Sequence, residues 1–362
     1  MNTRILVELC SVPTAPFAES RVVAYVESFV KARKKLTLKR DKFGNLLIEL
    51  RGKSKSPRWV FTAHMDHPGC MADEMVDART LRAYFRGGVY ASFVRGAKVV
   101  FFVGDREIPG VVQELSFDGA DRDQVPTAVT VRVNEPVPKG SPGMFDQGAG
   151  RIVGKRFLSR VCDDLAGAAA ALTMLDELHK HPPKSTVAVL LTRAEEEGFI
   201  GAIAASQHPT LIKKSDRLVA IECSAMQPYA PQGGGAIIRV GDRTSVFNSS
   251  LTYFLTTQAE ALAKVDKKFK HQRALMPGGT CEATVYDLYG FLASSICVPL
   301  GNYHNMDKQK GKIGPEYIDL SDWISMAKLF VAVAKNGHEY SPGNRVLKDR
   351  LAARFARHRK HL

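Results

Sequence analysis

Trp59 to Ala63, Thr186 to Thr192, Arg217 to Ile221 and Ser294 to Leu300 are apolar runs of strand length, and each leads within a few residues to a histidine or a carboxylate. Unbroken apolar runs of this kind suit strands buried on both faces, as in a sheet covered by helices. Open α/β sheets bind ligands outside the carboxyl ends of their strands. Four polar stations at four such ends therefore have one crevice in which to meet.

The stations are His64, Glu195 with Glu196, Glu222 and His304, and a fifth, Asp163, opens an Ala- and Leu-rich helical stretch. Taken singly, each reads as a loop carboxylate or a satisfied histidine. Taken together they supply two imidazoles and three carboxylates for two adjacent divalent metals, and one carboxylate remains as a base. Residues two apart on a strand end point the same way, so Asp66 is expected to accept a hydrogen bond from the far nitrogen of His64 or from a neighbouring ligand, fixing its tautomer and aim. Adjacent glutamates diverge, which lets one bind metal while the other faces water. Nitrogen and oxygen donors without thiolates suit Zn²⁺, Co²⁺ or Mn²⁺, with Zn²⁺ the first expectation. Two metals sharing a hydroxide and polarising a carbonyl, beside a carboxylate that moves the proton to a leaving amine, fit amide hydrolysis.

Alternation of strands and helices along most of the chain predicts a doubly wound, mostly parallel sheet flanked by helices. From about Asp73 to Phe157 the texture changes to short β-like runs broken by Gly, Pro and Asp, which predicts a small inserted β-barrel. The expected organisation is a catalytic α/β domain of residues 1–72 and 158–340, a barrel of 73–157 and a basic tail of 341–362. Leu36 to Arg51 reads as a hairpin around Gly44-Asn45.

At 362 residues the chain can bury a large core, and no apolar stretch approaches the length of a membrane span. The start of the chain reads as no signal peptide. Six scattered cysteines without a CxxC pair read as free thiols of a cytoplasmic protein. The net charge of +14 owes part of its size to Asn344–Leu362, with seven Lys/Arg and one acid. Leu347, Leu351 and Phe355 recur there at helical spacing, and the tail is read as a solvated amphipathic helix. No RNP aromatics, helix-turn-helix or zinc finger accompanies the charge, which argues against nucleic acid as a partner.

The stations in this order resemble the M42 cocatalytic metallo-aminopeptidases, which are related to the M28 and M20 zinc peptidases. The resemblance rests on Ala63-His64-Met65-Asp66-His67-Pro68-Gly69, Asp163-Asp164-Leu165-Ala166-Gly167, Glu195-Glu196-Glu197-Gly198-Phe199, Gly278-Gly279-Thr280 and Tyr303-His304. It implies that Asp163 bridges two metals, that His64 and Glu222 hold one, and that Glu196 and His304 hold the other. It also implies Glu195 as general base, Asp66 as a support behind the ligands, short peptides as substrates, and a homo-oligomer assembled through the inserted domain. This chain departs from the family pattern at Glu222, where Asp is usual, at Leu165, where a basic residue is usual, and at Cys281, where Asp is usual. The alternative enzyme with the same metal chemistry is a deacylase of N-acyl amino acids or small amides. A nucleic-acid or membrane binder would leave the five stations unexplained.

Overall fold

The computed structural model describes residues 1–118, 125–342 and 345–362. Residues 119–124 of the expected insert and 343–344 at the head of the expected tail lie outside the described residues.

The apolar runs become the strands Trp59–His64, Val187–Thr192, Arg217–Ala225 and Leu292–Gly301. The first two are buried at every position, and the other two along most of their length. They lie side by side and parallel at the centre of an 11-stranded sheet. Antiparallel strands extend both edges, including the hairpin of Leu36–Arg40 and Leu46–Leu50, which turns through Gly44 at φ 92°. Successive side chains go to opposite faces, as the pleat requires. Phe61, Val189 and Leu191 enter one apolar core, and Val60, Ala188 and Leu190 enter the other. The first core is covered by the helices Leu165–Leu178, Ser249–Val265 and Leu320–Asn336, the second by Ile200–Gln207 and Glu282–Leu288. The α/β class expected from the runs is the class observed.

Two packing details position the ends of these strands. Glu282 is fully inside the protein and accepts hydrogen bonds from the hydroxyls of Thr62 (2.6 Å) and Thr192 (2.5 Å), which ties together the two strands that lead to His64 and Glu195. Gly167, on the first turn of its helix, sits where a Cβ would fall 2.5 Å from Ile221 and 2.1 Å from the Asp164 carboxylate. Only glycine lets the helix start pack this closely against the sheet.

A separate closed barrel is formed by six strands running from Gly69 to Phe145 and encloses its own apolar core. An insert of 73–157 would have placed Arg151–Val153 and Arg156–Ser159 in this unit, but both pair within the large sheet, while Gly69–Met75 begins the barrel four residues early. The sheet strand and the barrel strand are separated only by Met65 to Pro68, so the change of texture in the sequence falls inside a barrel strand and not at its start. No described helix is long and apolar enough to cross a membrane. The tail forms the helix Arg345–His358, which is mostly exposed.

Trp323 is wholly buried and its indole Nε1 donates to the Ala166 carbonyl at 2.8 Å, which locks Leu320–Asn336 against the helix that begins beside Asp163. Trp323→Ala is expected to destabilise the protein by about 3–5 kcal/mol, because cavity and transfer costs add. Urea unfolding of the two proteins side by side measures it.

Candidate metal centre

The crevice has a simple origin. Arg217–Ala225 pairs with Trp59–His64 only as far as Ala220 opposite Thr62, then continues alongside Leu292–Gly301. The two strands part where His64 and Glu222 begin, and the space between them opens toward the remaining stations. His64 ends its strand, whereas Glu222 lies within its own.

All five stations converge here. Atoms of His64, Glu195 and Glu222 lie within 4.8 Å of one another, and so do those of Asp163, Glu196 and His304. Asp163 stands between the two groups. Its Oδ1 is 3.6 Å from His64 Nε2 and its Oδ2 is 3.9 Å from His304 Nε2. Glu195 and Glu196 diverge as adjacent residues must: Glu195 Oε2 is 3.9 Å from His64 Nε2, and Glu196 Oε1 is 3.3 Å from His304 Nε2.

Both imidazoles are oriented from behind. His64 Nδ1 lies 3.1 Å from the Asp66 carbonyl and His304 Nδ1 lies 2.9 Å from the Gly88 carbonyl. A carbonyl only accepts, so each Nδ1 carries a proton and each Nε2 is turned to the centre, the orientation of a metal-binding histidine. Asp66 differs in detail from expectation. Its carboxylate does not bind His64 closely (3.6 Å) but accepts the backbone N–H groups of Glu195 (2.9 Å) and Glu196 (3.1 Å). One side chain therefore fixes the turn that carries both glutamates.

Other braces were not legible in the sequence. Glu316 is inside the protein and accepts from the N–H of Cys162 (2.7 Å), Asp163 (3.1 Å) and His304 (2.8 Å). Glu19 accepts the Ala194 N–H at 3.1 Å and pairs with Arg193. The ring of His67 is tied through Nδ1 to the Asp163 carbonyl (2.7 Å) and through Nε2 to the Asn305 side chain (3.0 Å). These contacts hold an unusual turn: Asn302, His304 and Asn305 all have positive φ, at 53°, 54° and 61°. Non-glycine residues pay for that conformation, and it persists only where neighbours over-determine it. Asp307 does not reach His304; it caps its own loop through Lys310.

The electrostatics call for cations. Burial drives the Glu195 carboxyl well above its ordinary value and pushes Glu222 up to about 8, with neighbouring carboxylates adding to the effect. Burial would lower His304, but Glu196 and Asp163 outweigh it and hold the imidazole at about 9. Asp163 Oδ1 and Glu196 Oε1 are buried without a hydrogen-bond partner. Buried carboxylate oxygens left without a hydrogen bond beside two inward-turned imidazole Nε2 atoms are what a divalent cation satisfies in place of a proton, so the donor set fits a metal. A third group of Asp163, Asp164 and Cys223 is different. Burial raises the Cys223 thiol well above its ordinary value, and its Sγ lies 3.4 Å from the Cys162 carbonyl, a thiol donating rather than a thiolate. Cys281 is buried with its thiol likewise raised, which excludes it as a nucleophile.

An α/β protein with a buried crevice suited to divalent metal is the class these features define. The model of the M42 glutamyl aminopeptidase family matches residues 44–310, and the chain belongs to that family. It is accordingly a metal-dependent aminopeptidase. No curated protein matches the chain. Solved structures with the same fold include an aminopeptidase from the archaeon Desulfurococcus kamchatkensis (22% identity, TM-score 0.75, covering 92% of this chain and 94% of that one). A TET aminopeptidase from a marine sediment thaumarchaeon is similar (17%, 0.76, 92% and 96%), as is the Pyrococcus horikoshii TET1 peptidase (21%, 0.73, 91% and 98%), which can assemble into a tetrahedron or a large octahedral shell.

Asp66→Ala removes both acceptors that hold the glutamate turn. A roughly 10–100-fold loss of metal affinity or activity is expected. Calorimetric metal titration checks it, and Asp66→Asn, which keeps one acceptor, is expected to lose less.

Proposed function

We propose that the protein is a dinuclear aminopeptidase that removes N-terminal residues from short peptides. The observation that carries this reading is the placement of Asp163, whose two carboxylate oxygens each face the Nε2 of a different histidine. Counting Asp163 on both sides, His64 and Glu222 complete one three-ligand set, and Glu196 and His304 complete the other. Glu195 is then left over. Three protein ligands per ion leave a position open, as catalytic zinc sites do. Zn²⁺ is the ion proposed, with Co²⁺ and Mn²⁺ compatible with the same donors.

When bound, the metals would acidify a water and polarise the scissile carbonyl. The chain's own groups do the rest. Glu195, whose burial favours its holding a proton, takes one from the attacking water as the C–O bond forms. It returns that proton to the nitrogen as the C–N bond breaks. Asp66 keeps Glu195 and Glu196 aimed while this happens, through backbone N–H groups that the reaction does not consume. His304 is held by a carbonyl of the barrel, so its aim depends on both lobes.

We also propose that the chain forms a homo-oligomer through the barrel, as an insert of residues 73–157 was expected to do. Val76, Tyr84, Tyr90 and Val111 are large apolar residues exposed on that unit. The dodecamer of one structural neighbour and the shells of another support the reading. A cytoplasmic setting is proposed on the six cysteines, all of them unpaired.

The test is a panel of free-amine and N-acetylated amino-acid amides and dipeptides, offered to chelated enzyme restored with Zn²⁺, Co²⁺ or Mn²⁺. Metal-dependent cleavage of the free-amine set alone is expected, with Glu195→Gln slower by roughly 10²–10⁴-fold. Cleavage of the acylated set alone would assign the site to a deacylase. Elemental analysis is expected to find two metals per chain in the wild type. In light scattering, the mass is expected to be a multiple of the chain mass and to fall when Tyr84 and Val111 are replaced by Glu.

A further inference from the structure

Two cavities lie on either side of Tyr303, the residue before His304. One of ≈ 30 Å³ is lined by Glu222, Arg239, Thr280 and Tyr303. The other, of ≈ 920 Å³, runs between the barrel and the large sheet. Ala225 and Tyr303 border both, and Asn302, Tyr303 and Met306 bring the larger cavity up to the turn that carries His304. An aminopeptidase holds one residue on one side of the scissile bond and the rest of the peptide on the other. The small pocket has room for a single short side chain, and the long groove has room for a chain.

The groove has a consistent charge. Arg95 and Lys98 come from the barrel side, Arg156 from the sheet, and Lys308, Lys310 and Lys312 from a hairpin that follows His304. Its one acid, Asp307, is already engaged: it accepts the Lys310 N–H at 3.1 Å and pairs with the Lys310 ammonium at 3.4 Å. Among the described residues, the side chains of Arg95, Lys98, Lys308 and Lys312 have no hydrogen-bond or ion-pair partner, and all four are exposed. The hairpin is not a loose loop. Met306 pairs with Ile313 across it, and both pack into the apolar core of the barrel, which fixes the wall that carries the lysines. Clustered cations in a cleft with low-dielectric walls focus a field on whatever enters.

We propose that this groove receives the peptide downstream of the scissile bond and selects for negative charge there, so that preferred substrates carry Asp or Glu beyond the first residue after the cleaved bond. The proposal rests on the aminopeptidase reading. Tyr303 is the groove residue next to His304, and the lysines of the hairpin follow it along the chain, which sets the charged positions one or more residues past the bond. A nucleic acid would also be drawn to these cations, but the position of the groove beside the turn of His304 favours peptide.

The experiment uses three peptides of equal length that begin with alanine and carry Glu, Gln or Lys at the third and fourth positions. They are offered to the metal-loaded wild type and to a Lys308→Glu, Lys312→Glu double variant, whose changes are at exposed positions outside the catalytic machinery. For the wild type at low salt, KM for the Glu peptide is expected to lie about ten-fold below that for the Gln peptide, with kcat alike. The advantage is expected to shrink as ionic strength rises. In the double variant, whose groove still holds Arg95, Lys98, Arg156 and Lys310, the advantage of the Glu peptide over the Gln and Lys peptides is expected to shrink markedly. Equal KM values for the three peptides in the wild type, or a Glu preference undiminished in the double variant, would overturn the proposal while leaving the aminopeptidase reading intact. Failure to cleave even the Gln peptide would sink that reading and this one with it. Equal KM values together with salt-sensitive binding of a short oligonucleotide would give the groove to nucleic acid instead.

Discussion

The protein keeps at its centre more negative charge than its own cations offset, and the surrounding architecture exists to hold it there. Carboxylates of Asp163, Glu195, Glu196 and Glu222 crowd around two imidazoles in a buried crevice. Left to itself such a cluster would protonate or move apart. Arg239, which shares a pocket wall with Glu222, opposes protonation there alone. The rest of the opposition comes from backbone N–H groups gathered onto further acids one layer out: Asp66 under the glutamate turn, Glu316 under Asp163 and His304, and Glu19 under Ala194. Amide donors stabilise those outer carboxylates without adding a mobile counter-charge that could close on the inner ones.

This division explains what could be read from the sequence and what could not. The strand runs were legible because burial on both faces leaves no polar residue in them, and a polar residue at their end then stands out. His64, Glu195, Glu196, Glu222 and His304 were found by that contrast. Asp163 was found by its place at the head of an apolar helix. Of the outer acids, Asp66 was legible through its place two residues past His64, but Glu316 and Glu19 give no such signal. Glu316 follows Pro315 in a stretch without periodicity, and Glu19 sits at the start of an ordinary amphipathic helix. Their partners are backbone amides far along the chain, and an amide has no residue identity for a pattern to detect. The carbonyl of Gly88, which aims His304, is invisible for the same reason. The edge of the barrel was misplaced because its first strand follows the His64 strand after only four residues, with no composition change to mark the turn.

The left-handed residues around His304 show how local cost and global arrangement are reconciled. Three non-glycine residues with positive φ in four positions would not persist as an isolated loop. Here the Asn305 side chain donates to the Arg160 and Gly314 carbonyls, the His304 N–H is taken by Glu316, and the next residue, Met306, is sunk in the barrel core. The turn is held by the sheet on one side and the barrel on the other.

That last attachment has a bearing on how such a chain can change. A barrel inserted in a loop looks like a detachable module, free to be trimmed, exchanged or lost while the catalytic body carries on. Here His304, in the wall of the buried crevice, is aimed by a barrel carbonyl, and the loop behind it is anchored in the barrel's apolar interior. A lineage that altered the barrel to suit a new assembly would also retune the histidine. The two units can therefore drift only in step, and the insert is as much a part of the enzyme's inheritance as the residues that touch the peptide.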